Sequence, residues 1–229
     1  MRPAARRLLT DRAVRFGIFI YDGVEPIDLA TFGVLSMARR IAPEISICTI
    51  APRAGVVALA NGLNVSADYG IGDAPTCDVV IVTGGPGWTA QAKTPATLDY
   101  IRRVHATARL ASVCTGGMIL AASGVLDGGA ATTKREVVPP ETSPVELMRE
   151  TYPAIDVREA MLVERPDGVV TGGGVTLCID TTLHLLKDML GEHVADETAR
   201  IMEYSRAWRA NREAFAPVLL TRRAAMKHQ

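Results

Sequence analysis

Apolar segments of strand-like composition alternate with segments of helical spacing along most of this chain. Three of the strand-like segments, residues 14–21 (VRFGIFIY), 45–50 (ISICTI) and 77–82 (CDVVIV), are apolar along nearly their whole length. A strand of that kind must be buried on both of its faces, and the intervening helices supply the cover. The alternation therefore predicts an α/β fold with a mostly parallel central sheet, covered by helices on both faces.

The same patterns place the other elements. Helical spacing follows Pro26, which suits a first helical turn, and a hairpin is predicted around Asn61-Gly62. The remaining predicted elements are helices at 97–108, 142–152, 175–190 and 192–208, strands at 109–113 and 130–133, and a second hairpin that joins 157–164 to 169–171. No repeat, low-complexity segment or linker interrupts them. We therefore expect one domain over residues 14–210, between an N-terminal extension (1–13) and a charged C-terminal tail (211–229).

Charge and hydropathy exclude several classes of partner. Lys and Arg total 25, Asp and Glu total 25, and the formal net charge is zero, so no basic surface for nucleic acid is indicated. No apolar run reaches the roughly 18 residues that cross a bilayer, and the basic N-terminus lacks the apolar stretch of a signal peptide. We therefore expect a cytoplasmic protein with a small-molecule substrate, and neither a nucleic-acid nor a membrane partner.

The cysteines and histidines do not form a recognisable set of metal ligands. Cys48, Cys77, Cys114 and Cys178 are scattered, with no C-x-x-C pair, and the four histidines are not clustered. This pattern predicts neither a disulfide framework nor a metal site. The chain also lacks the G-x-x-x-x-G-K-[ST] loop that cradles phosphates, and we expect no cofactor.

Three segments rich in polar and small residues follow predicted strands. They are residues 22–28, 83–87 (TGGPG) and 114–117 (CTGG). In open α/β sheets, ligands and catalytic groups gather outside the carboxyl ends of the strands. These three segments are therefore the candidate functional site.

Cys114 stands where a predicted strand ends and a helix begins with small residues. A side chain on such a tight turn projects into the cleft, and the start of the helix favours an anion. A thiol in that setting can have its pKa lowered to about 3.5–7.5. The alternative is that Cys114 packs as a small hydrophobe, as free cysteine often does. The spacing favours the nucleophile here, whereas Cys48, Cys77 and Cys178 fall within strands or an apolar helix and are expected to be packed.

The glycines of the 83–87 segment are candidate binding residues. Glycine lets a backbone amide approach a ligand closely, so the amide of Gly85, or one nearby such as that of Gly84, could join that of Thr115 in an oxyanion hole. Gly116 opens the following helix and belongs to the same candidate group. The alternative is an ordinary turn between a strand and a helix.

A carboxylate is the better candidate partner for the cysteine than a histidine. Asp28 lies at the start of a predicted helix, where the helix dipole by itself would explain it, and the functional alternative is a general acid/base aimed at the thiol. Glu25 precedes it on the same segment. The histidines fit less well, because Thr115 follows the cysteine and the four of them are predicted at surface, tail or packed helix positions: His105, His193, His228 and His184.

Taken together, these motifs resemble the ThiJ/PfpI superfamily, whose members are similar to class I glutamine amidotransferases. The motifs are, in chain order, FIYDGVEPIDL at 19–29, TGGPG at 83–87, ASVCTGG at 111–117, ATTK at 131–134, TGGGVT at 171–176 and ID at 179–180. The resemblance runs from about residue 14 to residue 204. It implies a flavodoxin-like α/β sandwich, a cysteine on a nucleophile elbow, and a homodimer.

Within the superfamily, the chain is most similar to isocyanide hydratases and to the related domains of AraC-type regulators. In the hydratases the elbow reads S-V-C-T-G, and an aspartate of a D-L motif faces the cysteine. The resemblance implies that Cys114 is the nucleophile, that Asp28 is the acid/base, and that Thr115 polarises the substrate. The implied reaction is attack of the thiolate on the terminal isocyanide carbon, formation of a thioimidate, and hydration to an N-substituted formamide.

The chain departs from the hydratase pattern at one point. The hydratases resemble A-T-T-H-W after the elbow helix, whereas Lys134 and Arg135 stand here. If both side chains border the pocket, two cations replace an imidazole and an indole, and the substrate site differs.

Other branches and classes supply the alternatives. Protease- and deglycase-like members carry a glutamate on the first loop and a histidine after the cysteine; Asp28 and Thr115 argue against them, while Glu25 leaves the question open. A glyoxalase or deglycase acting on reactive carbonyls, and a non-catalytic ligand or redox sensor, therefore remain alternatives. No basic helix-turn-helix follows residue 210, so we do not expect a stand-alone DNA-binding regulator.

Overall fold

An eight-stranded sheet forms the centre of the protein in a computed structural model that describes residues 13–220. The strands are β1 (Arg15–Phe19), β2 (Ser46–Ala51), β3 (Gly55–Ala58), β4 (Asn64–Ala67), β5 (Tyr69–Gly70), β6 (Val79–Val82), β7 (Arg109–Ser112), β8 (Ala130–Ala131), β9 (Asp156–Val157), β10 (Leu162–Glu164), β11 (Val170–Gly172) and β12 (Val218–Leu219). The helices are α1 (Ala30–Ala38), α2 (Trp88–Gln91), α3 (Pro95–Thr107), α4 (Gly116–Ala122), α5 (Pro144–Thr151), α6 (Leu177–Leu190), α7 (Glu192–Ile201) and α8 (Ser205–Ala214), with 3-10 turns at Pro26–Leu29 and Ala60–Gly62.

The strands of the central sheet follow the order β12-β10-β11-β7-β6-β1-β2-β5. Neighbours from β11 to β5 are parallel, and β10 is antiparallel to β11. Helices α1, α6 and α7 contact one another, and α4 contacts α2, α3 and α5, which gives a helical layer on each face. The predicted α/β fold with a mostly parallel sheet, and the flavodoxin-like sandwich that the resemblance implied, are confirmed.

The strand β1 shows why its composition required this architecture. Phe16, Ile18 and Phe19 are fully buried, and so are Ile20 and Tyr21 just beyond the strand. Successive side chains of a strand point to opposite faces, so both faces of β1 lie under a helical layer. The predicted 61–62 hairpin also forms, as β3 and β4 pair antiparallel.

Two predicted elements are divided in the structure. The helix expected at 192–208 is two helices, because Glu203 adopts a left-handed φ of 58° and the Tyr204 amide donates to the Ala199 carbonyl oxygen. The strand expected at 157–164 is also divided: β9 pairs with β8 in a separate sheet, while β10 joins the central sheet.

The predicted boundary at residue 210 does not coincide with the end of the packed chain. Helix α8 continues to Ala214, and β12 pairs with β10 at the edge of the sheet. Residues 1–12 of the predicted extension and 221–229 of the predicted tail, with His228, lie outside the described residues. Within the described range, no helix is both long and apolar enough to span a membrane.

Candidate active site

The three segments chosen from the sequence meet at one edge of the sheet. Strands β1, β6 and β7 are adjacent and parallel, so the segments that follow them emerge side by side. The Glu25 amide donates to the Gly84 carbonyl oxygen at 2.9 Å, which joins the first segment to the second. The Gly85 amide donates to Thr115 Oγ1 at 2.8 Å, which joins the second to the third.

Cys114 occupies a strained turn between β7 and α4. Its φ is 51°, in the left-handed region that residues other than glycine seldom adopt. Hydrogen bonds hold it there: the Val113 amide donates to the Val82 carbonyl oxygen, and Thr133 Oγ1 donates to the carbonyl oxygen of Cys114 at 2.9 Å. Such strain costs on the order of 1–3 kcal/mol and is concentrated at functional sites. The geometry is that of a nucleophile elbow.

Glycine is required at two positions that surround the elbow, Gly84 and Gly116. A Cβ on Gly84 would lie 2.3 Å from the Thr115 nitrogen and 2.9 Å from Cys114 Cβ. A Cβ on Gly116 would lie 2.2 Å from the Val82 carbonyl oxygen. Both glycines therefore allow close backbone approach around the thiol rather than forming an ordinary solvent-exposed turn.

Asp28 reaches the elbow from the 3-10 turn that follows β1. Its side chain is 0% exposed, and Oδ2 accepts a hydrogen bond from the Gly84 amide at 2.6 Å. The other oxygen, Oδ1, is buried and has no hydrogen-bond partner of ordinary geometry among residues 13–220. The carboxyl group is thus bonded across the cleft to Gly84, which the helix-dipole explanation does not require.

The environment of Asp28 makes its carboxyl group a weaker acid than an ordinary aspartate. Burial is the largest cause and raises the pKa of its carboxyl to about 7, assisted by the charge of Glu25. The Gly84 amide, and a weaker interaction with the Cys114 thiol, act in the opposite direction. A group with a pKa close to neutral is well matched to proton transfer at physiological pH.

The expected lowering of the Cys114 pKa is wrong for this structure. The residue is 2% exposed, and burial, followed by the nearby charge of Asp28, raises the pKa of its thiol to about 12. The amide and hydroxyl of Thr115 favour the thiolate, as the start of a helix should, but they do not offset the loss of solvent. The thiol is therefore protonated at rest and needs a base, and Asp28 is placed to serve as one.

The loop amides do not form an open oxyanion hole. The Gly84 amide is bonded to Asp28 and the Gly85 amide to Thr115, so neither faces free space as the sequence had suggested. The Thr115 hydroxyl is likewise engaged with Gly85. In this state the predicted binding residues shape the site around the thiol and the carboxyl group.

Two groups at the site were not selected from the sequence. Cys178, at the start of α6, is fully buried, and its pKa is raised by burial and then by the charges of Asp28 and Cys114. Tyr21 is fully buried as well, and its hydroxyl donates to the Thr83 carbonyl oxygen at 2.9 Å. Cys178 could have been found, because the Gly172-Gly173-Gly174 run leaves β11 at the same carboxyl edge.

Lys134 and Arg135 stand in different environments. The charge of Lys134 lowers the pKa of Cys114, so this side chain acts on the site. The Arg135 guanidinium instead pairs with Glu136 and Glu159 and lies over the Phe215 ring. The two cations are therefore not equivalent.

His184, the histidine predicted to be packed on a helix, lies at the opposite end of the parallel strands from Cys114. His184 Nε2 is 2.8 Å from Glu164 Oε2 and 3.4 Å from Asp188 Oδ2, so three groups that could bind a metal lie together. Arg109 contacts both carboxylates, at 2.6 and 2.8 Å, and already supplies the cation that they need. Arg109 and Glu164 also border a cavity of about 700 Å³ that does not include Cys114.

The chain belongs to the DJ-1/PfpI family, whose model matches residues 14–188. This confirms the resemblance to the ThiJ/PfpI superfamily that the motifs indicated. The family includes enzymes: isonitrile hydratase of Pseudomonas putida is 30% identical over 200 residues, which cover 85% of this chain and 80% of that protein.

Regulators are also among its relatives. The HTH-type transcriptional regulator GlxA of Rhizobium meliloti (strain 1021) is 28% identical over 159 residues, which cover 69% of this chain and 45% of the regulator. The chain thus spans about half the length of that regulator.

Solved structures share the fold. A ThiJ/PfpI family protein from Pseudomonas syringae superposes with a TM-score of 0.74 at 24% identity, over 89% of this chain and 80% of that chain. An AraC family transcriptional regulator from Pseudomonas putida superposes with a TM-score of 0.68 at 17% identity, over 82% of this chain and 99% of that chain.

Proposed function

We propose that this protein is a cysteine-dependent hydratase that converts isocyanides to N-substituted formamides. The observation that carries the proposal is the pairing of a thiol on a strained elbow with a buried carboxyl group whose pKa is about 7. The identity to isonitrile hydratase, over most of both chains, supports the choice of substrate class.

The first half of the reaction uses Asp28 to make the nucleophile. The carboxylate takes the proton of the Cys114 thiol, and the unpartnered Oδ1 is the oxygen free to do so. The sulfur then forms a bond to the terminal carbon of R–N≡C. Asp28 returns the proton to that carbon, which gives a thioimidate, R–N=CH–S–Cys114. Because the thiol is protonated at rest, this transfer must accompany the attack.

The second half consumes one water molecule. Asp28 takes one proton from the water as its oxygen bonds to the thioimidate carbon, and passes that proton to the nitrogen. The carbon–sulfur bond then breaks as the remaining hydroxyl proton moves, through Asp28, to the sulfur, and R–NH–CHO leaves. The net change is R–NC plus water to the formamide, with thiol and carboxylate restored. Thr115 steadies the sulfur through its amide and hydroxyl.

The test is turnover of a panel of alkyl and aryl isocyanides and 2-oxoaldehydes. We expect wild type to release formamides from isocyanides, Cys114→Ala to lose turnover by at least about a thousandfold, and Asp28→Asn to lose about a hundredfold or more. Cys48→Ala is the matched control, because Cys48 is a buried cysteine on β2, and its sulfur lies 3.9 Å from that of Cys77. Full activity in Cys114→Ala would refute the proposal, and turnover of 2-oxoaldehydes alone would assign the carbonyl chemistry instead.

A ligand-binding domain without turnover is the second candidate. The near-complete burial of the thiol and its raised pKa favour it, since both suppress nucleophilic reactivity. In that case an isocyanide or aldehyde would stabilise wild type and Cys114→Ala equally in a thermal-shift titration, with no product detected.

A further inference from the structure

Two cysteines outside the candidate active site meet over β1. Cys48 lies on β2 and Cys77 comes just before β6, and these two strands flank β1 in the sheet. The two sulfurs are 3.9 Å apart, within hydrogen-bond distance. Cys77 precedes its strand whereas Cys114 follows β7, so Cys77 and the elbow lie at opposite ends of the parallel strands.

The glycine at position 17 allows the two sulfurs to meet. Gly17 lies on β1 directly opposite Cys48, so the two positions share one face of the sheet. A Cβ on Gly17 would lie 2.9 Å from the Cys77 sulfur and 2.8 Å from Ile50 Cδ1. A glycine inside a strand weakens it and often marks a close approach of another group. Here that group is the Cys77 sulfur.

The two thiols are not equivalent. The Cys77 thiol can donate to the Pro75 carbonyl oxygen at 3.5 Å, which leaves Cys48 to donate to the Cys77 sulfur. This bond from Cys48 lowers the pKa of Cys77, and the Arg15 guanidinium lowers it further, against the effect of burial. Arg15 is held beside the pair, because its Nη1 donates to the Thr76 carbonyl oxygen at 3.3 Å. Cys77 is therefore the better nucleophile of the two.

Cys77 also borders the space through which a reagent can arrive. It lies on the wall of the cavity of about 700 Å³ that Arg109 and Glu164 border, and Cys48 does not line this cavity. Only 5% of Cys77 and 6% of Cys48 is exposed. A small, uncharged oxidant such as a hydroperoxide fits this access better than a bulky disulfide.

We propose that Cys48 and Cys77 form a second, redox-active site, where a small hydroperoxide oxidises the two thiols to a disulfide. The Cys77 sulfur attacks one oxygen of R–O–O–H: a sulfur–oxygen bond forms, the oxygen–oxygen bond breaks, and R–O⁻ leaves with the Cys77 proton. The Cys48 sulfur then attacks the Cys77 sulfur: the sulfur–sulfur bond forms, the sulfur–oxygen bond breaks, and hydroxide leaves with the Cys48 proton as water. Two electrons thus pass from the sulfurs to the peroxide oxygens, and the products are the disulfide, R–O–H and water.

The proximity of the two thiols makes this oxidation reversible. A sulfenic acid that meets a thiol condenses to a disulfide, which a small dithiol can reduce, instead of proceeding to the irreversible sulfinic acid. The sulfurs must approach from 3.9 Å to about 2.0 Å for this bond. The proposal does not rest on the hydratase activity, because it involves neither Cys114 nor Asp28.

The site is tested in Cys114→Ala, so that the elbow thiol takes no part, with wild type beside it. The folded, full-length protein is treated with hydrogen peroxide, its free thiols are blocked with iodoacetamide in urea, and its peptides are analysed by mass spectrometry without reductant. We expect a linked Cys48–Cys77 peptide that dithiothreitol removes, formed at least about tenfold faster than Cys178 is oxidised. Cys178 is the internal control, because it is fully buried and its sulfur lies 3.7 Å from the Ile27 carbonyl oxygen.

Two serine variants in the same background test the roles of the two thiols. Cys48→Ser keeps a hydroxyl donor for the Cys77 sulfur but cannot form the disulfide, so we expect peroxide to convert Cys77 to its sulfinic acid. Cys77→Ser should leave Cys48 reduced. Oxidation of Cys48 in Cys77→Ser as fast as that of Cys77 in Cys48→Ser would overturn the assignment of Cys77 as the attacking thiol.

Two results would overturn the site itself. One is the absence of the linked Cys48–Cys77 peptide from both wild type and Cys114→Ala after peroxide treatment. The other is a yield of peptides that join Cys178 to Cys48 or Cys77 equal to that of the expected pair, since such links would form in unfolded chains and not at a built site.

Discussion

Replacement of Asp28 by asparagine should stabilise the protein in a strongly pH-dependent way. Asp28 is fully buried, and burial raises the pKa of its carboxyl from 3.8 to about 7. A carboxyl whose pKa is raised in the native state disfavours folding once it ionises. The native state should therefore lose stability as the pH rises from about 4 to about 7, and asparagine should abolish this loss.

The size of the effect follows from the change in pKa. A rise from 3.8 to about 7 corresponds to roughly 4 kcal/mol above pH 7, since a change of one in pKa is about 1.4 kcal/mol. Linkage places about 2–3 kcal/mol of this between pH 5 and pH 8. Asparagine keeps an oxygen for the Gly84 amide, but its NH₂ group takes the place of the unpartnered Oδ1 at a pH-independent cost of about 1–2 kcal/mol. The two proteins should be about equally stable at pH 5, and the variant more stable at pH 8.

Urea unfolding of both proteins at pH 5 and pH 8 measures the difference. Cys114→Ala is the control: it removes the thiol and keeps Asp28, so it should retain the pH dependence of wild type. An identical difference in unfolding free energy between Asp28→Asn and wild type at the two pH values would refute the argument. It would mean that the native carboxyl group titrates as it does in the unfolded chain.

Three other outcomes follow from the same site. Gly84→Ala should cost about 1–3 kcal/mol in urea unfolding and slow the alkylation of the elbow thiol, because its Cβ would lie 2.3 Å from the Thr115 nitrogen; Gly33→Ala, where a Cβ meets nothing within 4 Å, should be neutral or stabilising. If Asp28 is the base, kcat/KM should fall about tenfold per pH unit below pH 7, since its ionised form does the work. Ile27 and Phe32 expose 43% and 40% of their surfaces near the Asp28 turn, and we predict a homodimer by sedimentation velocity that Ile27→Glu weakens.

The Cys114 thiol and the Asp28 carboxyl group are both almost completely shielded from solvent. A buried thiol with a pKa of about 12 and a buried carboxyl with a pKa of about 7 hold one proton, on the sulfur, above about pH 7, and two protons below it. Strain in the elbow and burial of Asp28 are both costs to folding, as expected where a site is held ready for chemistry.

The sequence by itself determined the architecture and the location of the site. Strands such as 14–21 are apolar on both faces, so they can be stable only between two helical layers. In a parallel sheet the ends of such strands share one edge, so Asp28, Gly84 and Cys114 had to lie near one another. These inferences need only the composition of each segment and the direction of the chain, and both can be read from the sequence.

Only the tertiary structure decided how the site behaves. The pKa of Cys114 depends on its depth and on the charge of Asp28, and the effect of burial on this pKa exceeds that of the helix start, which the sequence displays. The amides of Gly84 and Gly85 are occupied by side chains that lie 56 and 30 residues away in the chain. Cys178 reaches the site because α6 begins at the same edge, and Lys134 lowers the pKa of the thiol whereas Arg135 pairs with Glu136 and Glu159. Burial, hydrogen-bond partners and charge pairing are properties of contacts between distant segments, so no local pattern of residues contains them.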